Sequence, residues 1–165
     1  FLPLIPAGLL VQQVLPESER IVILTKPTAQ TSACPQCHQL SGRVHSHYRR
    51  TLADLPWQGQ VVALRVEARR FRCVARDCPR LVFTERLPEV TAPRARRTVR
   101  LADIQRHIGL ALGGEAGSRL AQRLTMPVSA TTLLNLLRRG APATPEQAPR
   151  VLGVDDWAWR RGCRY

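Results

Sequence analysis

Two closely spaced cysteine pairs, an alternation of apolar and charged residues between them, and a series of helix signals after them predict an α+β fold. The pairs are Cys34-x2-Cys37 and Cys73-x4-Cys78. Two paired-thiol knuckles separated by a folded insert can set four thiolates at tetrahedral corners, and that soft ligand set suits zinc better than a hard cation. The expected fold is therefore a small zinc-ribbon-like β domain followed by a three-helix domain of helix-turn-helix type.

The chain has 165 residues, with 25 Lys plus Arg against 12 Asp plus Glu, a formal charge of +13. That balance calls for a polyanion. Double-stranded DNA or RNA fits better than a membrane surface, because the arginines run through the folded-looking stretches and no basic amphipathic helix collects them. No segment reads as a membrane span: the opening FLPLIPAGLLVQQVL is broken by Pro3, Pro6 and a glutamine pair, and lacks the marks of a signal peptide. The expected location is cytoplasmic and nucleoid-associated, where thiols stay reduced. A disulfide scaffold is the rival for the cysteines, and the close in-pair spacing counts against it.

Residues 1–30 read as a short helix or apolar segment followed by a strand over Ile21–Leu24 that ends at Pro27. Residues 31–90 form the zinc-binding β domain: Leu64, Val66 and Ala68 alternate with Arg65, Glu67 and Arg69, giving one apolar and one charged face. TLADLPWQGQ, with Asp54, Pro56 and Gly59, is expected to turn between two strands.

His38, His45 and His47 compete as ligands in principle, but four cysteines already complete a tetrahedron, so Cys34, Cys37, Cys73 and Cys78 are the expected metal set. A closed all-thiolate site leaves no open position for water, which makes the zinc structural rather than catalytic. Cys163 stands apart as an incidental thiol.

Residues 91–139 carry the helical domain. A basic arm with Arg94, Arg96, Arg97 and Arg100 precedes a helix over about 99–112, capped by Thr98, with Leu101, Ile104, Ile108 and Leu112 on its buried face and Gly113 and Gly114 as its stop. A second helix, from about Ala116 to Leu124, carries Arg119 and Arg123 as phosphate candidates. Ser129 caps a third helix that runs to about Arg139. Leu133, Leu134 and Leu137 form its buried side, while the short Thr131 and Thr132 allow close approach to a major groove. Asn135, Arg138 and Arg139 can then reach bases or phosphates.

A Pro- and Ala-rich linker fills 140–149, and 150–165 opens on a strand-like run that delivers Asp155 and Asp156 at its end. Paired acids there suit Mg2+, although two-metal nucleases need carboxylates from more than one strand.

The order of CPQCH, the strand ending in FRC, the second knuckle, SATTLLNLLRR and VLGVDDWAWRRGCRY resembles the amino-terminal half of a bacterial insertion-sequence transposase of the ISL-three family. The more specific match is the closing motif, from Gly153, Val154 and Asp155 through Gly162 to Tyr165. The resemblance implies that a zinc-binding domain and a helix-turn-helix precede a ribonuclease-H-like catalytic domain, whose first strand begins near 150. It also implies binding to terminal inverted repeats, with Asp155 as the first acid of an Asp-Asp-Glu triad. The other two acids are missing, so this segment alone is expected to be inactive, with Mg2+ relevant only if the catalytic domain is present. The start at Phe1 reads as that of a fragment. The alternative is a domesticated or truncated transposase-derived protein, which binds DNA or acts as an adaptor for protein partners. Homodimerisation follows only by analogy with transposition, in which two element ends must meet.

Overall fold

The computed structural model describes residues 5–140. Within them the elements are β1 (Leu9–Pro16), β2 (Arg20–Pro27), β3 (Ser32–Ala33), β4 (Leu40–Ser41), β5 (Val44–Trp57), β6 (Gln60–Arg72), β7 (Val82–Thr84), α1 (Val99–Arg123) and α2 (Ala130–Gly140). The α+β class and the ribbon-like β unit are as the sequence predicts, but the main sheet is larger. It runs β1-β2-β6-β5, with β7 joined to the far end of β6.

The opening segment, expected as a short helix or an apolar segment, is a strand. Its backbone pairs antiparallel with β2, from Leu9 opposite Pro27 to Pro16 opposite Ile21. The strand-forming run of β2 supplies a template that outweighs the weak local preference of LLVQQVLP. β2 then lies parallel to β6, Arg20 to Thr25 against Val61 to Val66.

The β5–β6 hairpin is the longest feature of the sheet. The expected turn over TLADLPWQGQ is confined to Gln58 and Gly59, with φ of 49° and 73°, between the paired Trp57 and Gln60. Positive φ at both central residues is the twist-matched geometry of a two-residue hairpin. Because directly opposed residues share a face, Leu52 and Leu64 lie together, as do Arg50 and Val66. That face holds the core, in which Ile23, Leu52, Leu64 and Val66 are almost wholly buried and Val90 and Leu87 from the following loop cover them. Burying each such side chain contributes about 1.5–3 kcal/mol.

Asp54 is not a turn residue; it lies buried in β5. Its Oδ1 accepts hydrogen bonds from Thr98 Oγ1 at 2.7 Å and Arg100 Nε at 2.8 Å, and its Oδ2 accepts from Arg100 Nη2 at 2.5 Å. Thr98 is also the N-cap of α1, accepting from the Leu101 amide. The Ala53 backbone meets Arg96 O and Thr98 N, both at 2.9 Å. One buried carboxylate thus fixes the start of the helical unit to the sheet.

Two helices stand where three are expected. The predicted stop at Gly113 is a kink inside α1: Gly113 takes φ 72°, ψ −163°, a backbone region open essentially to glycine, and helical geometry resumes without a loop. The buried face of α1 also differs. It follows Leu101, Gln105, Gly109, Gly117 and Ala121, while Ile104 and Leu112 are exposed. Gly109 and Gly117 admit the side chains of α2: a β-carbon at Gly117 would stand 3.0 Å from Leu133 Cδ1, and one at Gly109 would touch Leu137. Leu133 is buried, but Leu134 is 40% exposed, so the predicted buried side of that helix is narrower. Gln105 Nε2 and Ser118 Oγ brace the turn between the helices by donating to Met126 O and Val128 O.

Asp54→Ala leaves Thr98 and Arg100 without their buried acceptor. It should lower unfolding stability by about 2–4 kcal/mol, measured by denaturant titration of the zinc-loaded chain. An unchanged midpoint would remove the assigned brace.

Candidate metal centre

Each cysteine pair is presented by a short antiparallel ladder. The first knuckle grows from β3 and β4, where Ser32 pairs with Ser41 and Ala33 with Leu40. Its backbone folds back on the first thiol: the Cys34 amide donates to Gln39 O and the His38 amide to Cys34 O, both at 2.9 Å. The second knuckle continues β6 and returns through β7, with the Cys73 amide donating to Leu81 O at 2.9 Å. Ser41 Oγ donates to Arg72 O at 2.6 Å, and the Arg72 amide donates to Arg43 O at 2.8 Å. These bonds lock the two knuckles together.

The four Sγ atoms lie within 4.8 Å of one another. Cys37 and Cys73 stand 3.5 Å apart, Cys34 and Cys78 3.9 Å apart. Both separations are far longer than the roughly 2.05 Å of a disulfide, and all four cysteines are free. A zinc ion with bonds of about 2.3 Å to sulfur sets tetrahedral edges of about 3.8 Å, which these distances bracket. Beneath the thiols, Phe71 and Phe83 stack at 5.9 Å and form a small apolar cluster with Cys34 and Cys78. Arg69 joins this cluster to the main sheet: its guanidinium lies 5.0 Å from the Phe71 ring centre and donates to the buried Glu85 carboxylate at 2.5 and 3.1 Å.

Crowding makes the thiols unequal. Burial pushes the Cys34 thiol up, but the backbone amides of Cys37 and Gln36 and the neighbouring thiols of Cys37 and Cys73 outweigh it, leaving it lowered to about 7. At Cys73 the Ala75 amide favours the thiolate, yet burial and the surrounding thiols of Cys37, Cys78 and Cys34 prevail, and it is pushed up to about 12. Cys78 is raised as well: the Arg80 amide favours its thiolate, but burial and the Cys37 and Cys34 thiols prevail. Four sulfurs this close cannot all carry charge without a cation between them. A divalent, thiophilic ion supplies that compensation, so the donor set fits zinc. The three histidines His38, His45 and His47 are exposed and stand outside the thiol cluster.

The residues singled out for DNA divide by environment. Arg94, Arg96, Arg119 and Arg123 are exposed. Arg97 is half-buried and donates to Gln105 Oε1, and desolvation lowers its pKa. Arg100 carries the ion pair with Asp54. At the start of α2, Ser129 Oγ accepts from the Thr132 amide at 3.3 Å and lies 2.9 Å from Thr132 Oγ1. Thr131, Asn135, Arg138 and Arg139 are exposed, and their spacing of four, three and one puts them on a single side of α2, away from buried Leu133. Asp155, Asp156 and Cys163 lie outside the described residues, as do the expected ribonuclease-H-like strand and the linker beyond Gly140, which is the last residue of α2. Sequence reasoning missed Asp54 as a structural acid. It also missed the small residues Gly109 and Gly117, against which Leu137 and Leu133 of α2 pack.

Zinc binding must displace the protons of at least Cys73 and Cys78 near neutrality, so affinity rises with pH. Competition with a chromogenic chelator should show an increase of at least about 100-fold per pH unit, steepening below about 7, where Cys34 also holds its proton. Complete zinc removal should unfold the two knuckles and the short strands β3, β4 and β7 that present them, read by circular dichroism, because the apolar cluster under the thiols is small. Unchanged spectra after chelation would sink the structural role.

Residues 30–78 match the family model described as the zinc-finger of transposase IS204/IS1001/IS1096/IS1165. No curated protein and no solved structure gives a significant match to the chain. Among the described residues, no helix is long and apolar enough to cross a membrane. The match over 30–78, to a zinc ribbon of the ISL-three transposase type, supports the resemblance of this chain to the amino-terminal part of such a transposase.

Proposed function

We propose that this chain is the DNA-recognition part of a transposase, which binds double-stranded DNA sequence-specifically at the terminal inverted repeats of its element. The observation that carries the reading is the zinc-finger match over the same residues that bring four thiols together. The formal charge of +13 supports it, since a duplex presents the dense anionic surface that such a surplus needs.

In this reading zinc holds the ribbon folded and α2 enters the major groove. Thr131 and Asn135 face base edges from one side of the helix, where an asparagine can pair with adenine, and Arg138 and Arg139 follow on that side to engage phosphates. Arg94, Arg96, Arg119 and Arg123 add phosphate contacts, whereas Arg97 and Arg100 act chiefly by holding the arm in place. Cutting and rejoining, with Asp155 and Mg2+, would belong to a ribonuclease-H-like domain.

The test is selection of bound duplexes from a random library by the zinc-loaded chain. One enriched motif is expected, and Asn135→Ala should relax it at a single position, with a cost of about 1–3 kcal/mol on the selected site. Arg138→Gln with Arg139→Gln should weaken all duplexes alike and flatten the dependence of log K on log salt by about 2. Failure to enrich any motif would overturn sequence-specific recognition.

A further inference from the structure

We propose that a groove between β5, β7 and the loop over 86–96 binds the DNA phosphate backbone, at a site separate from α2. The inference rests on the DNA-binding reading and adds to it a second contact surface, on the side of the ribbon. Two adjoining hollows form the groove, of about 250 Å³ and about 520 Å³, and they share Tyr48, Arg50, Thr84 and Arg94. The first adds Arg80 and Arg86, the second Arg96.

Charge identifies the ligand. Among the described residues Arg80, Arg86, Arg94 and Arg96 have no ion pair or side-chain hydrogen bond, and all four are exposed. The lining contains one carboxylate, Glu85, and Arg69 neutralises it from outside the groove at 2.5 Å. Four uncompensated guanidinium groups around a recess favour an oxyanion strongly, and their planar forks match phosphate oxygens. Thr84 and Tyr48 add hydroxyl groups. The two hollows share four lining residues and so extend side by side, which suits a linear phosphodiester rather than a single compact anion.

The groove is also preorganised. Arg50 is not a free cation: its Nη2 donates to Ala95 O at 2.5 Å and Ala92 O at 3.4 Å, and so ties the 91–95 wall to the sheet. The bonds of Ala53 to Arg96 O and Thr98 N pin the far end of that wall. Arg70 lies 4.9 Å from the Tyr48 ring centre and steadies that side. The backbone of the wall is thus held in place before a phosphate backbone enters, and the ordering that remains is that of the arginine side chains.

The experiment uses the zinc-loaded 165-residue chain and fluorescence anisotropy with labelled duplexes of two unrelated sequences, between roughly 50 and 200 mM salt. The combined variant Arg80→Gln, Arg86→Gln, Arg94→Gln, checked for wild-type zinc content and circular dichroism, should weaken both duplexes equally and reduce the salt slope by about 3. That loss should add to the loss from Arg138→Gln with Arg139→Gln. If the wild-type chain binds duplex and the triple variant keeps its affinity and slope, the groove assignment is overturned while the DNA-binding reading stands. If the wild-type chain binds no duplex, both fall. Inorganic phosphate and a mononucleotide, added at constant ionic strength, should not displace the duplex; displacement at concentrations that leave Arg138/Arg139-dependent binding intact would make the groove a small-anion site and overturn the backbone assignment.

Discussion

Strand β6 is the constraint on which the other elements depend. It hydrogen-bonds to β5 along almost its whole length, to β2 along its first half and to β7 at its end, and it runs directly into Cys73. Its alternation puts Leu64, Val66 and Ala68 into the core, and its continuation puts Phe71 under the thiols. A one-residue slip would expose that core and carry Cys73 away from its three partners. Core packing and metal geometry therefore select the same register, and neither could be satisfied without the other.

Two kinds of ionic contact follow. Arg69–Glu85 and Arg100–Asp54 each set an arginine against a carboxylate that is at least 99% buried, joining units that share little apolar surface. The first ties the ribbon to the sheet, the second ties the helices to it. Removing a carboxylate from such a pair takes a charged partner away from a partly buried cation, so these acids matter more to integrity than their small number implies. The helical unit rests on close approach instead, where Gly109 and Gly117 leave room for Leu133 and Leu137.

The metal ligands were legible in the sequence because their spacing is local and the ligand number is fixed by chemistry. The strand character of β2 and β6 was legible from branched and alternating residues. What escaped was set by distant partners. LLVQQVLP is a strand because β2 lies beside it, and Asp54 stands in a stretch rich in turn residues yet belongs to β5 because Thr98 and Arg100, more than forty residues on, receive it. The double glycine marked an interruption correctly in position but not in kind. Gly113 itself leaves helical geometry, and helical residues resume beyond it without an intervening loop. Ile104 and Leu112 were assigned to the buried face by apolarity, whereas the face against α2 favours small residues that let another helix come near.

The loop-tying role of Arg50 divides the cations of this protein into two populations with different responses to ionic strength. Arg50, Arg69, Arg97 and Arg100 are engaged with carbonyls, carboxylates or an amide oxygen inside the fold, partly or largely shielded from solvent. Mobile ions screen such contacts poorly, but they screen exposed guanidinium groups well, with a Debye length near 8 Å at physiological salt. The number of arginines thus overstates how many are free to meet an external polyanion. It also separates two properties that a basic protein often confounds: moderate salt can release a polyanion from the surface while the architecture that displays the surface persists.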